Sequence, residues 1–364
     1  MMPRERFVRV LNRQGDRHNP FWIGHPADAT KEIYYRELGI ESHHASELEQ
    51  HNADSSVLLA KAAGKEEVDF NLALGSDMIW ISPELDMRCW KHPEGKPMWD
   101  CFDTRRTSLG QRGIFADCED AREVEAFDWP NPDHMDISPS LEDAKYAYDS
   151  GLAVFGGMWC PFFHTVSDFF GMEEYFIKMK TDPDVVHAVT ERVMDFYLRA
   201  NERVLAAMKP FICAGFFGSD IGCQRDLMIS LDCYREFIHP YIARIAAQIH
   251  SFGLKVAFHS CGAIDRIIPD LIDAGIEVLH PLQAKAAGVN AEHLAKEYGG
   301  DLVFMGGVDT QELLPFGRPD EVRRTVLHLR EVFGENYIVS PSHEALLPNV
   351  PFENVRAMIE AARE

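Results

Sequence analysis

Positive charge is scarce in this sequence. Its 364 residues carry 36 lysines and arginines against 58 aspartates and glutamates, a formal net charge of −22. A surface that grips nucleic acid needs clustered basic side chains to displace phosphate counterions, so the charge argues against a nucleic-acid partner. It argues equally against docking on an anionic membrane. No apolar run reaches the length of a membrane span, and the opening Met1-Met2-Pro3-Arg4-Glu5-Arg6 lacks the apolar core of a signal peptide. The eight cysteines (Cys89, Cys101, Cys118, Cys160, Cys213, Cys223, Cys233, Cys261) follow no disulfide-framework spacing. These absences together read as a cytoplasmic protein with reduced thiols. Also missing are the glycine-rich phosphate turns G-x-G-x-x-G and G-x-x-x-x-G-K-(S/T), and the nucleophile elbow G-x-S-x-G. Their absence weakens a doubly wound nucleotide-binding fold and a serine-hydrolase chemistry.

What is present is a repeating pattern. Hydrophobic residues make up 46% of the chain and charged residues 26%, enough to bury a large core. Short apolar runs of strand type recur at Phe21–Gly24, Met78–Ile81, Leu152–Gly156, Phe211–Ala214, Leu254–Phe258, Glu277–Leu279, Leu302–Met305 and Tyr337–Val339. Helical periodicity lies between them, clearest over Arg235–Phe252, Ile264–Ala274 and Pro319–Phe333. Alternating strands and helices predict a parallel sheet with helices outside it. Eight units fit a closed (β/α)8 TIM barrel with an elaborated N-terminal segment. Trp129-Pro130-Asn131-Pro132-Asp133 is the best boundary candidate, but the irregular stretch before it supplies no core of its own, so residues 1–364 read as a single domain. The oligomeric state stays open, a homodimer included.

In such a barrel the chemistry gathers where strands end and βα-loops begin. The run Lys255–Phe258 is followed by His259-Ser260-Cys261-Gly262. Residues two apart on a strand point the same way, so an imidazole and a thiol would project from one face, a donor pair suited to zinc. The competing reading is a buried cysteine beside a capping histidine. Ser340-Pro341-Ser342-His343-Glu344 follows the last run. His343 is a candidate third ligand, and Glu344 is either a supporting contact or a solvated loop carboxylate. Asp220 reads as a general base or a binder of a substrate cation or N–H, or equally as a turn aspartate. Trp159, Cys160 and His164 line a pocket or belong to the core, and His25 and Gln283 stand where substrate contacts are expected. Asp309 reads as a helix cap, and His18, His43, His44, His92 and His134 as solvent-facing.

These blocks resemble the uroporphyrinogen decarboxylase superfamily, which includes the methylcobamide:coenzyme M methyltransferases. The likeness rests on Arg4-Glu5-Arg6-Phe7, on Gly218-Ser219-Asp220-Ile221-Gly222 with Gln224, and on Phe258-His259-Ser260-Cys261-Gly262. Met305-Gly306-Gly307-Val308-Asp309 and Ser340-Pro341-Ser342-His343 complete it. It implies a TIM barrel and either of two chemistries. The metal-free decarboxylase holds substrate carboxylates with arginines from an early Arg-Gln-Ala-Gly-Arg motif; here Ile23-Gly24-His25-Pro26-Ala27-Asp28-Ala29 contains none. The methyltransferase branch binds zinc through His-x-Cys-Gly and a late Pro-Gly-Cys. His259 and Cys261 match, while Pro341-Ser342-His343 puts histidine at the third position. The resemblance therefore implies a zinc-dependent methyltransferase of the corrinoid type, acting on a small thiol or similar acceptor. No Asp-x-His-x-x-Gly corrinoid signature is present, so the cobalamin would come on a separate corrinoid protein. The alternatives are a uroporphyrinogen decarboxylase-type lyase and a non-enzymatic tetrapyrrole-binding protein.

Overall fold

The computed structural model describes residues 1–40, 64–83, 89–99 and 112–364. Its seven strands are β1 (Met78–Trp80), β2 (Ala153–Gly156), β3 (Ala214–Gly218), β4 (Lys255–His259), β5 (Val278–His280), β6 (Val303–Val308) and β7 (Tyr337–Pro341). They lie side by side in that order, every neighbouring pair parallel. The Phe21 run closes the ring between β7 and β1. It is reduced to one parallel bridge, Phe21 to Val339, with Trp22 N–H donating to Val339 O at 3.0 Å and Asp77 N–H to Phe21 O at 2.8 Å. The result is the expected α/β barrel, one stave of which is almost entirely irregular.

Side-chain alternation sorts the core into two layers. Trp22, Met78, Phe155, Phe216, Ala257, Val278, Met305 and Ile338 form one buried cluster that fills the barrel interior. Residues between these positions, such as Val256, Phe258, Leu279 and Val339, join the larger cluster that packs strands against helices. The helix Pro3–Leu11 plugs one end of the barrel with Phe7, Val10 and Leu11. Its Phe7 ring meets Phe155 edge-on at 5.3 Å. Among the described residues no helix is long and apolar enough to cross a membrane.

Three expected elements are shifted or divided, for local reasons. The third strand begins where the Phe211–Ala214 run ends, because Phe211 still turns out of the helix Pro183–Met208. Its core reads Ala214-Gly215-Phe216-Phe217-Gly218, and glycine is a weak strand former. Glycine is nonetheless required: a Cβ on Gly215 would stand 2.6 Å from Ile249, and one on Gly218 2.3 Å from the His259 carbonyl. The Arg235–Phe252 periodicity is broken into helices Leu231–Phe237 and His239–Ser251. Pro240 cannot continue the first helix but suits the first turn of the second. Ile264–Ala274 likewise divides into a short 3-10 turn and Ile268–Asp273, with Pro269 at the junction. Pro319–Phe333 forms as expected.

One buried carboxylate ties the seam together. Asp77, 1% exposed, accepts Phe21 N–H at 2.8 Å and Arg6 at 2.8 Å, joining the plug helix, the irregular stave and β1. Burial pushes its pKa up against the lowering effects of Phe21 N–H and Arg6. Asp77→Leu strands a buried backbone donor and an arginine, and should cost about 2–4 kcal/mol in urea unfolding. A change below about 0.5 kcal/mol would mean the seam is held by packing alone.

Candidate metal centre at the barrel mouth

Three neighbouring strands end in register at Gly218, His259 and His280. Ala257 and Val278 face the barrel interior, so His259 and His280, two residues on, face it one layer higher. The absent side chain of Gly218 leaves room for His259. Beyond the strands the backbone is pinned by Ser219 N–H to His259 O at 3.0 Å, Ser260 N–H to His280 O at 2.9 Å, and Ile221 N–H to Ser260 Oγ at 3.1 Å. Gly262, at φ 93°, lies where a Cβ would come within 2.4 Å of Gly222. The two loops therefore touch backbone to backbone. Asp220 Oδ1 accepts Cys261 N–H at 2.8 Å, and Gln283 Oε1 accepts Gly262 N–H at 2.6 Å.

The titratable side chains converge. His259 Nε2 lies 3.6 Å from Cys261 Sγ and 3.2 Å from Asp220 Oδ1. Its Nδ1 lies 3.0 Å from His280 Nδ1 and 3.7 Å from Glu344 Oε2. His343 Nδ1 is 3.7 Å from the same Glu344 oxygen. Three overlapping groups bring their donor atoms within 4.8 Å of one another: Asp220, His259 and Cys261; His259, His280 and Glu344; Cys261, His343 and Glu344. Glu344 Oε2 is buried without a hydrogen-bond partner among the described residues. An imidazole–thiol–carboxylate set around an orphaned buried oxygen fits a borderline-soft divalent ion such as zinc.

The electrostatics follow from this crowding. Burial alone would lower the His259 pKa, but Glu344, Asp220 and Cys261 outweigh it and raise the value well above 6.5. His343 is raised to about 9, chiefly by its hydrogen bond to Cys261. His280 goes the opposite way, because burial and the neighbouring His259 and His343 disfavour its charged form. Burial opposes ionisation of Asp220, yet the hydrogen bond and charge of His259 hold its carboxyl well below the usual range. His164 accepts Asp220 N–H at 3.1 Å on Nε2 and is lowered by burial.

The expected residues distribute as follows. His259, Cys261, His343, Asp220 and Glu344 fall in overlapping groups of three at the barrel mouth, His259 and His343 in different groups linked through Cys261 and Glu344. The Trp159 ring stands 5.7 Å from His259 and 5.0 Å from Trp80, and His25 lies 6.3 Å from Trp80, so these rings form one wall beside the centre. Gln283 spends its amide on Gly262 and, at 2.9 Å, on Gln224, which makes it a brace for the loop. Asp309 accepts the N–H groups of Gln311, Glu312 and Leu313 and so holds the turn before the helix Leu313–Phe316, whose N-cap residue is Glu312. Cys160 is core, its thiol donating to Met158 O. His18, His92 and His134 are half-buried, with His92 and His134 packed ring to ring at 4.6 Å, instead of facing solvent. His43 and His44 lie outside the described residues. Sequence reasoning missed His280 and Trp80. The same strand-end rule that found His259 could have found His280, the residue directly after the Glu277–Leu279 run.

A family profile described as Uroporphyrinogen decarboxylase (URO-D) matches residues 114–364. The chain is 27% identical over 230 residues to the methylated-thiol–coenzyme M methyltransferase of Methanosarcina mazei, covering 62% of this chain and 57% of that protein. It is 22% identical over 185 residues to a uroporphyrinogen decarboxylase of Christiangramia forsetii, covering 50% and 49%. The matched regions thus span about half the length of these curated relatives. A methyltransferase structure from Methanosarcina mazei shares the fold, with a TM-score of 0.65 at 19% identity over 100% of this chain and 98% of that one.

The raised histidines make metal-free stability depend on pH in a definite sense. A histidine whose folded pKa lies above its unfolded value stabilises fully below about 6.5, and that contribution is lost as pH climbs through the folded value. For His343 the window runs from 6.5 to about 9, and His259 acts in the same sense. Urea unfolding of metal-free protein should show stability falling across this window, with a shallower fall in His343→Gln. An unchanged slope in that variant would contradict the assignment.

Proposed function

The chain belongs to the uroporphyrinogen decarboxylase family, and on that premise we propose a zinc-dependent methyltransferase of the corrinoid type. It would move a methyl group between a corrinoid on a separate protein and a small thiol or similar acceptor. The observation that carries this reading is the set of three overlapping donor groups at the barrel mouth, Asp220 with His259 and Cys261, His259 with His280 and Glu344, and Cys261 with His343 and Glu344. Bound there, zinc supplies a Lewis acid that lowers the pKa of a thiol or other weak nucleophile in an open position.

The chain's own residues do the rest. His259, Cys261 and His343 would be the ligand set, and the buried Glu344 oxygen stands ready as a fourth donor. Asp220 acts on the protein, holding Cys261 by its backbone N–H and facing His259 Nε2. A cation bound there would compete with protons at His259 and His343, whose pKa values are raised. Trp80, Trp159 and His25 wall the site on one side, where an apolar methyl group gains contact and water is kept back. His343 stands where the resembling methyltransferases place a cysteine, and histidine remains a sound zinc ligand.

Purified protein should carry about one zinc per chain by elemental analysis, and His259→Ala and Cys261→Ala should each retain less than about a tenth of an equivalent after dialysis. His343→Cys should hold zinc at least as tightly as the parent, whereas His343→Ala should weaken it. Zinc-loaded protein should demethylate methylcobalamin in the presence of a small thiol. Wild-type protein that never holds stoichiometric zinc sinks the proposal, and carbon dioxide release from uroporphyrinogen by metal-free protein would put a carboxy-lyase in its place.

A further inference from the structure

His280 stands in one of the three candidate donor groups, with His259 and Glu344, but outside the proposed ligand set of His259, Cys261 and His343. It is fully buried at the end of β5, paired in register with His259 on β4, and its ring centroid lies 5.1 Å from that of His259. The two Nδ1 atoms are 3.0 Å apart, a hydrogen-bond distance that requires one proton between them. Which ring carries it follows from the other side of His259. Its Nε2 faces Cys261 Sγ and Asp220 Oδ1, the direction of the candidate ligand set. An imidazole that coordinates through Nε2 must keep its remaining proton on Nδ1 and find an acceptor for it. Glu344 Oε2, at 3.7 Å, is beyond hydrogen-bond reach, which leaves His280 Nδ1. The ring of His280 then carries its own proton on Nε2, and that atom is buried with no partner among the described residues. Packed between Trp22 at 5.2 Å and Phe216 at 5.6 Å, the ring is fixed from both sides. A leucine or phenylalanine would fill this apolar space without leaving a polar atom stranded. The stranded nitrogen points to a use for the other one.

We propose that His280 is a positioning residue for the centre: its Nδ1 accepts the Nδ1–H of His259 and so keeps His259 Nε2 free to face Cys261 and Asp220. The inference rests on the zinc reading above for its consequence, but not for its geometry. His280 contributes no ligand atom; it sets which nitrogen of His259 is the ligand atom.

The test compares two replacements in the full-length protein. His280→Asn keeps a carbonyl oxygen that can accept the His259 proton, while His280→Leu fills the space and accepts nothing. Zinc affinity, read by competition with a chromophoric chelator, should fall about 10- to 100-fold in His280→Leu and stay within about threefold in His280→Asn. Equal zinc affinity in wild type and His280→Leu overturns the proposal, as does an equal loss in both variants with thermal unfolding unchanged. A second readout needs no metal. In metal-free protein labelled with 15N-histidine, His259 Nδ1 should carry a hydrogen-bonded, slowly exchanging proton in wild type and His280→Asn, lost in His280→Leu. An unprotonated His259 Nδ1 in wild type overturns the proposal whether or not zinc binds. A protonated Nδ1 in protein that takes no zinc would sustain the His280 contact while removing the zinc function.

Discussion

A buried imidazole has two nitrogens on opposite sides of a rigid ring, and each needs a partner it can reach. His259 meets that demand only because two adjacent strands hold it. β3 presents Gly218, with no side chain to block the ring, and β5 presents His280 at the same level. One nitrogen is thereby turned to the mouth and the other to the neighbouring strand. Slipping β5 by a single residue would turn His280 to the helix side and leave Nδ1 of His259 without its nearest partner. The site therefore depends on the register of three strands more than on any loop.

That register is held from below. The interior layer of Trp22, Phe155, Phe216, Met305 and Ile338 is filled, and the plug helix with Phe7, Val10 and Leu11 seals the far end. A filled interior resists sliding of one strand past another, because each inward side chain would have to climb over its neighbours. The weakest stave is the one at Phe21, and there a side chain does the work of a ladder, with Asp77 bonding the Phe21 N–H. The same irregular stave leads into Gly24 and His25, whose backbones pack on Glu344. The seam is thus joined through the chain to a carboxylate of the site.

Much of this was legible in the sequence. Seven of the eight apolar runs fall on or beside a strand and the eighth on the closing bridge, because a barrel strand buried on both faces reads as a continuous apolar run. His259, Cys261, His343 and Glu344 were legible because barrel chemistry sits at strand ends. The misplaced third strand reads poorly because its glycines answer to distant neighbours, Ile249 and His259, that no local pattern reveals. Gln283 was legible as a residue of the mouth but not in its role, since its partner Gly262 lies on another strand's loop. Trp80 was hidden at the end of a run whose periodicity says only that it is apolar. His280 obeys the same strand-end rule as His259, since it directly follows the Glu277–Leu279 run.

The charges at the mouth bear on which ion the centre would take. Glu344, Asp220 and Cys261 raise the pKa of His259 against its burial, and the hydrogen bond to Cys261 raises that of His343. Any divalent ion that competes with protons at these two imidazoles brings the same charge. Charge alone then gives little preference among divalent ions, and the choice falls to donor chemistry. Magnesium and calcium seek several oxygen donors, and here two carboxylates stand among imidazoles and a thiol. A borderline-soft ion gains from nitrogen and sulfur what a hard one cannot. The selectivity of the centre would accordingly reside in Cys261 and in whichever nitrogen of His259 is left free to bind, and β5 bears on that choice by holding His280 beside it.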